Sequence, residues 1–475
     1  MQNKFYITTS IAYTNAEPHI GFTLELLQAD VLSRYKRQKG FDVHFLTGTD
    51  EHGSKIANTA KKKGRDPKDF VDEIVQSYKK LTENLNVSND DFIRTTDKEK
   101  HWPGVELLWR KIEEKGDIYK KDYKGLYCSG CEVFKKEKEL VDGKCPDHSK
   151  EPEVVEEENY FFALSKYSKE IEDLIEKEEI KIIPENRKKE VLNFVRRGLE
   201  DISVSRSREN LAWGIPVPDD DSQTLYVWLD ALTNYVSAIG YGRKEENFKK
   251  WWPADIHCVG KDILRFHAVI WIGLLLSAGL EVPRSILTHG HITSEGKKMS
   301  KSLGNVVDPF QLVKEYGVDP VRYYLLREIP TTGDGDFSYG RFIELYNADL
   351  ADGVGNLLSR TIALTRKNEV KEGRGSGEPK KRVEEAKERY EGKMEERRLN
   401  EALDVLWEIV HFADGYIEKK RPWEKKEGSK ETIENLLFIL SFLSEALEPF
   451  LPESADLMKR CIKEKEKKSI FPKLR

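Results

Sequence analysis

The sequence predicts an α/β fold: a doubly wound, parallel sheet, interrupted by an insertion and followed by an α-helical bundle. Three observations predict it. Strand-like and helix-like periodicities alternate over the first fifty residues. The texture breaks between about Lys115 and Gln223, and beyond about Arg341 the pattern is helical to the end.

Taken in order, Phe5 to Thr9 is β-rich, and Leu24, Leu27, Val31, Leu32 and Tyr35 then recur at helical spacing. Val43 to Thr47 is a second short apolar run. Strand, helix, strand is a βαβ unit, and the carboxyl ends of its strands form a crevice for a ligand. The interrupting segment carries short β-like pieces (Ile118-Tyr119, Gly125 to Tyr127), a cysteine cluster and an acidic run, Glu151 to Glu158. Strand character returns at Thr224 to Trp228, Ile256 to Val259 and Ser285 to Thr288, expected as later strands of the same sheet. In the helical end, Leu399, Ala402, Leu403, Leu406, Ile409, Val410 and Ala413 form one apolar face. Gly373 to Pro379 reads as a flexible loop within that region.

Composition narrows the function. The 475 residues suffice for several domains, and 34% charged residues describe a soluble, highly charged surface. No apolar run is long enough to span a bilayer, and the first residues lead directly into a strand with no signal peptide, so a cytoplasmic protein is expected. A net charge of −5 argues against a general polyanion binder, although local basic stripes can still meet RNA. Three of the five cysteines, Cys128, Cys131 and Cys145, fall within 18 positions. With His148 they make two knuckle-like pairs, Cys-x-x-Cys and Cys-x-x-His, thirteen residues apart. Three thiolates and one imidazole form a closed tetrahedral set suited to structural Zn2+. The competing reading is three buried thiols and a surface histidine.

Two motifs carry chemistry. Lys298-Met299-Ser300-Lys301-Ser302 follows an expected strand and turn. Two lysines three apart on a loop can close over a triphosphate and offset the charge of departing pyrophosphate. Alone, the run is equally a solvated basic loop. Pro18-His19-Ile20-Gly21 lies between the first strand and the first helix. A glycine there lets backbone approach a nucleotide, and an imidazole can donate to phosphate. His-x-Gly by itself is a weak signal; its position in the βαβ unit strengthens it.

Together these residues resemble the two signatures of class I aminoacyl-tRNA synthetases. The resemblance extends, in family order, to methionyl-tRNA synthetase segments: Ala12 to Asn15, Thr47 to Gly53, Trp213 to Pro218, Tyr226 to Ala231, Val259 to Ile263 and Gly333 to Phe337. It covers nearly the whole chain and thins after about Trp423. The family's second signature histidine is Phe22 here, and phenylalanine cannot donate a hydrogen bond to phosphate.

The resemblance implies a Rossmann-like catalytic domain in two parts (1–114 and 224–292) and a connective insertion with a zinc knuckle (115–223). A linking domain with the lysine loop (293–345) and a helical anticodon-binding domain (346–475) follow. It implies ATP contacts at His19, Gly21, Glu25, Gly260, Asp262, Lys298, Ser300 and Lys301, of which His19, Lys298 and Lys301 are catalytic. Asp50 takes the methionine ammonium group. Ile11, Tyr13, Trp228, Ala231, Leu232, Tyr235, Ile263 and His267 line an apolar, polarizable slot for the thioether. Asn356, Arg360 and Trp423 read the anticodon, the indole by stacking. Implied cofactors are structural Zn2+ at Cys128, Cys131, Cys145 and His148, and Mg2+ with ATP. Implied partners are methionine, ATP and the methionine tRNA, with no membrane. A monomer is expected, with room for a separate tRNA-binding protein. The rival readings are a class I synthetase for another amino acid and a catalytically weak RNA-binding paralogue.

Overall fold

The computed structural model describes residues 3–128, 133–135, 137–146, 150–299, 304–466 and 468–474, and of 123, 133, 134 and 138 the backbone alone. The chain divides into two compact units. The first comprises Met1–Pro18, Gly40–Lys80 and Asn89–Thr288; the second comprises His19–Lys39, Leu81–Ser88 and His289–Arg475.

The first unit is built on a parallel sheet. Its strands run in the order Ala12–Tyr13, Asp42–Asp50, Lys4–Thr9, Ile256–Gly260, Ser285–His289 and Lys181–Ile183, with Asp91–Arg94 also paired to Asp42–Asp50. Lys4–Thr9 pairs in parallel with both of its neighbours, Phe5 facing Val43 and Thr8 facing His257. Phe5 to Thr9 is buried without alternation, as a strand covered on both faces must be. The helices Trp102–Glu114, Val227–Ser237 and Trp271–Ser277 pack here around Trp109, Tyr235 and Trp271. Along the chain, between Asp91–Arg94 and Lys181–Ile183, lies an antiparallel sheet built on the long paired strands Ile118–Cys128 and Glu153–Phe162. The architecture is the expected Rossmann-like α/β sheet followed by helices.

In the second unit the Ile20–Gln38 helix buries Leu24, Leu27, Val31, Leu32 and Tyr35, the face read from the sequence. A small sheet of Ile292–Ser294, Lys297–Lys298 and Gly335–Phe337 follows the chain out of the first unit. Helices then run from Tyr339 to Glu464, and all seven residues of the expected apolar face on Leu399–Lys420 are buried.

Two sequence expectations are corrected. Thr224 to Trp228 is not a strand of the parallel sheet. Thr224 and Leu225 end a strand of a separate antiparallel sheet, and a helix begins at Val227. A run of four apolar residues after Thr224 carries no periodicity to tell strand from helix. Gly373 to Ser376 is loop, as read, but Gly377 to Pro379 is not. Arg374 N–H donates to Glu434 O at 3.1 Å and Ser376 N–H to Asn435 Oδ1 at 2.7 Å. A Cβ on Gly373 would lie 2.6 Å from the Phe438 nitrogen, so glycine permits close docking there. Gly377 already opens a helix, with Pro379 in its first turn.

Candidate active site

In the first unit, three parallel strands end side by side at Thr9, Asp50 and Gly260. The residues expected to hold an amino acid gather around these carboxyl ends. Asp50 pairs across the sheet with Tyr13, and its backbone carbonyl accepts from both Thr14 N–H and Thr14 Oγ1 at 3.0 Å. Glu51, with no exposed surface, accepts from Thr49, Thr96 and both arms of Arg94, at 2.8 Å and 2.7 Å from the guanidinium. Its carbonyl accepts from the Trp213 indole at 2.6 Å. The strand end bearing Asp50 is therefore fixed by buried charge-assisted bonds.

Beside it, Trp228, Ala231, Leu232 and Tyr235 recur at helical spacing along Val227–Ser237. Trp228 stacks on Phe266 with ring centroids 3.7 Å apart. The Tyr235 hydroxyl donates to His267 Nε2 at 2.7 Å while His267 Nδ1 donates to Ile263 O at 2.9 Å, one neutral tautomer satisfying both bonds. Tyr235 also lies 4.2 Å over His257, whose pKa burial and then nearby His267 push well below the ordinary value. The wall is aromatic and uncharged, matching a thioether. Ile11 and Ile263 pack against the same core. Gly260 closes its strand, and Asp262 is exposed in the turn that follows.

The other nucleotide candidates lie in the second unit. His19 caps the Ile20–Gln38 helix: its Nδ1 accepts from Gly21 N–H at 3.1 Å, which leaves Nε2 as the protonated donor. A Cβ on Gly21 would meet the His19 ring at 2.9 Å. Glu25 is buried, with Oε2 2.9 Å from His289 Nε2. His289 Nδ1 donates to Gly290 O at 2.8 Å. Lys298 stands exposed on a hairpin whose turn residues Glu295 and Gly296 have φ of 50° and 72°. Ser300 and Lys301 lie outside the described residues.

Cys128 ends its strand and is buried, and Cys145 is fully buried. Cys131 and His148 lie outside the described residues. Cys145 is the only buried side chain described between residues 135 and 152. A thiol withdrawn from water in a segment with so little apolar core fits a metal ligand.

In the helical part, Asn356 and Arg360 lie one turn apart on Asn356–Lys367, outside the buried stripe of Leu357, Leu358, Thr361 and Ile362. Arg360 lies 2.6 Å from Glu418 and its guanidinium carbon 5.8 Å from the Trp423 ring centroid; Trp423 is 38% exposed.

Comparison with known proteins places the chain in a family. The model of "tRNA synthetases class I (M)" matches residues 5–152 and 138–362, and that of the anticodon-binding domain of tRNA ligases matches 380–472. The chain belongs to the class I methionyl-tRNA synthetase family. It is 44% identical to the methionine–tRNA ligase of Thermotoga maritima, over 98% of this chain and 76% of that one. It is 46% identical to the enzyme of Clostridium perfringens, over 96% and 72%. The Mycobacterium tuberculosis methionyl-tRNA synthetase in complex with methionyl-adenylate superposes with a TM-score of 0.92 at 37% identity, covering 96% of this chain and 93% of that one. Membership of the methionyl-tRNA synthetases makes the chain an aminoacyl-tRNA ligase for methionine, and sets aside the rival amino acids.

Residues that sequence reading left without a role also make buried polar contacts within each unit. His52, His101 and Asp230 form one buried cluster, and His289 holds Glu25. Separations of 49 and 129 residues between His52, His101 and Asp230 leave no local pattern to find them by. Among the described residues no helix is long and apolar enough to cross a membrane.

Proposed function

We propose that the family's two-step reaction is carried out here by the residues gathered above. Asp50 neutralises the methionine ammonium group, and the Trp228, Ala231, Leu232 and Tyr235 face takes the side chain with Ile11, Tyr13, Ile263 and His267. The methionine carboxylate attacks the α-phosphate of ATP, giving methionyl-adenylate and releasing pyrophosphate. His19, Gly21 and Glu25, with Gly260 and Asp262, hold the nucleotide. Lys298, Ser300 and Lys301 meet the charge that builds on the leaving pyrophosphate. Mg2+ bound with ATP supplies further neutralisation of that charge. The acyl group then passes to the terminal ribose of the tRNA. No side-chain nucleophile is needed, because positioning and electrostatics suffice.

Asn356, Arg360 and Trp423 read the anticodon, and Cys128, Cys131, Cys145 and His148 hold a structural Zn2+ in the 115–223 insertion. The proposed remainder of the layout is a catalytic domain at 1–114 and 224–292, a linking domain at 293–345 and an anticodon domain at 346–475. We place the protein in the cytoplasm as a monomer, alone or with a separate tRNA-binding protein. The observation that carries the reading is the buried Asp50 on a strand end held by Thr14, Arg94 and Trp213, joined through His52 and Asp230 to a helix with an aromatic face.

Pyrophosphate exchange with each amino acid in turn, with and without tRNA, tests it. Exchange with methionine alone, and methionine-dependent tRNA charging, are expected. Exchange with another amino acid, or RNA binding without exchange, would overturn it; the Phe22 substitution is what keeps the second outcome worth measuring.

A further inference from the structure

The helix Val227–Ser237 has two distinct faces. Trp228, Ala231, Leu232 and Tyr235 share one; Asp230 and Ser237, seven residues apart, share the other. Both oxygens of the buried Asp230 carboxylate are engaged. Oδ2 accepts from His52 Nδ1 and Oδ1 accepts from His101 Nε2, each at 2.7 Å. His101 also runs along this face, its Nδ1 2.8 Å from the Ser237 hydroxyl. Helix packing is tight at the same point: a Cβ on Gly104 would lie 2.7 Å from Ser237 Cβ. Burial alone would raise the Asp230 pKa. The nearby His52 and the two histidine hydrogen bonds outweigh it and hold the carboxyl below its ordinary value, so the acceptor stays charged.

His52 stands two residues beyond Asp50, on the strand end already fixed by Thr14, Arg94 and Trp213. Its ring edge packs on Trp213, with centroids 5.4 Å apart. One carboxylate thus joins the segment carrying the ammonium partner to the helix carrying the side-chain slot. We infer that Asp230, clamped between His52 and His101, is a positioning residue that sets the spacing between the Asp50 carboxylate and the Trp228–Tyr235 slot. The inference rests on the methionine-pocket reading above. A ligand gripped at both ends is sensitive to this spacing, since a small displacement of the helix loosens both contacts at once.

The test is exchange kinetics on Asp230→Ala, Asp230→Asn and His101→Gln, each alongside a thermal melt. Asp230→Ala should raise the methionine KM about tenfold or more while the ATP KM stays within about twofold. Asp230→Asn keeps one acceptor oxygen and should recover part of the loss. His101→Gln leaves the His52 bond in place and should raise the methionine KM several-fold, which decides the matter even if Asp230→Ala fails to fold. Methionine and ATP KM rising together, or an unchanged methionine KM in folded variants, would overturn the inference. Asp50→Asn is the control for the pocket. If it leaves the methionine KM unchanged, the pocket reading itself fails; if it raises that KM and the Asp230 variants do not, only the positioning role fails.

Discussion

Arg322 and Asp30 form an ion pair at 2.7 Å in which neither side chain has exposed surface. The guanidinium also donates to the carbonyls of Leu85, Pro449 and Phe450, at 3.1, 2.9 and 2.7 Å. Asp30 in turn accepts from Arg34 at 2.8 Å and from Ser88 N–H and Oγ at 2.7 and 2.6 Å. One buried charge pair therefore ties the Ile20–Gln38 helix to the end of the helix Ser429–Ala446 and its following turn.

Breaking that pair should cost far more than a surface contact. Arg322→Met leaves Asp30 as a buried charge missing its main partner, and a loss of about 3–5 kcal/mol in urea unfolding is expected. The Asp30 pKa is held low: burial would raise it, but Arg322, Arg34 and the two Ser88 bonds outweigh burial. A depressed folded pKa contributes stability above the unfolded value and loses it as pH falls through the folded one. The gap between wild type and Asp30→Asn should therefore stay constant near neutrality and narrow only below about pH 4.

Phe22 follows Gly21 in the first turn of the same helix and offers no donor. Phe22→His should raise the methionine-dependent exchange rate about tenfold, the worth of one hydrogen bond to a charged group. An unchanged or lower rate would show that phosphate is not contacted from this position.

Trp423→Ala separates the two steps of the reaction. Transfer to tRNA should fall by about a hundredfold or more, given the usual worth of base–aromatic stacking plus the loss of the Arg360 platform. Exchange should stay within about twofold of wild type. Equal losses in both would make the indole a packing residue.

Asp414 lies on the Leu399–Lys420 helix, one turn before Glu418, and its Oδ1 is buried without a hydrogen-bond partner among the described residues. Burial raises its pKa to about 6, against the opposing pull of Arg360 and His411. A raised folded pKa in an acid means that stability falls as pH rises from the unfolded value to about 6. Asp414→Asn should therefore raise the melting temperature by about 2–4 °C at pH 8 and change it little at pH 4. The same shift at both values would show that the carboxylate is not the source of the strain.

Zinc is tested by content. Atomic spectroscopy on protein purified without chelator should find one Zn2+ per chain, and Cys145→Ser should lose it together with order in the insertion. Absence of zinc in the wild type would reject the site.

The sequence by itself determined the identity of the parts. Buried strands such as Phe5 to Thr9, the helical stripe from Leu24 to Tyr35 and the ordered signature segments are set by residues near one another in the chain, where periodicity and spacing speak. Tertiary structure alone decided what each part leans on. That His289 holds Glu25, that Asp230 joins His52 to His101, and that Gly373 docks on Phe438 are contacts across 65 to 264 residues. The reason is physical: a short apolar run such as Thr224 to Trp228 fits strand and helix equally, and a buried histidine is satisfied only by whatever partner the folded chain brings to it.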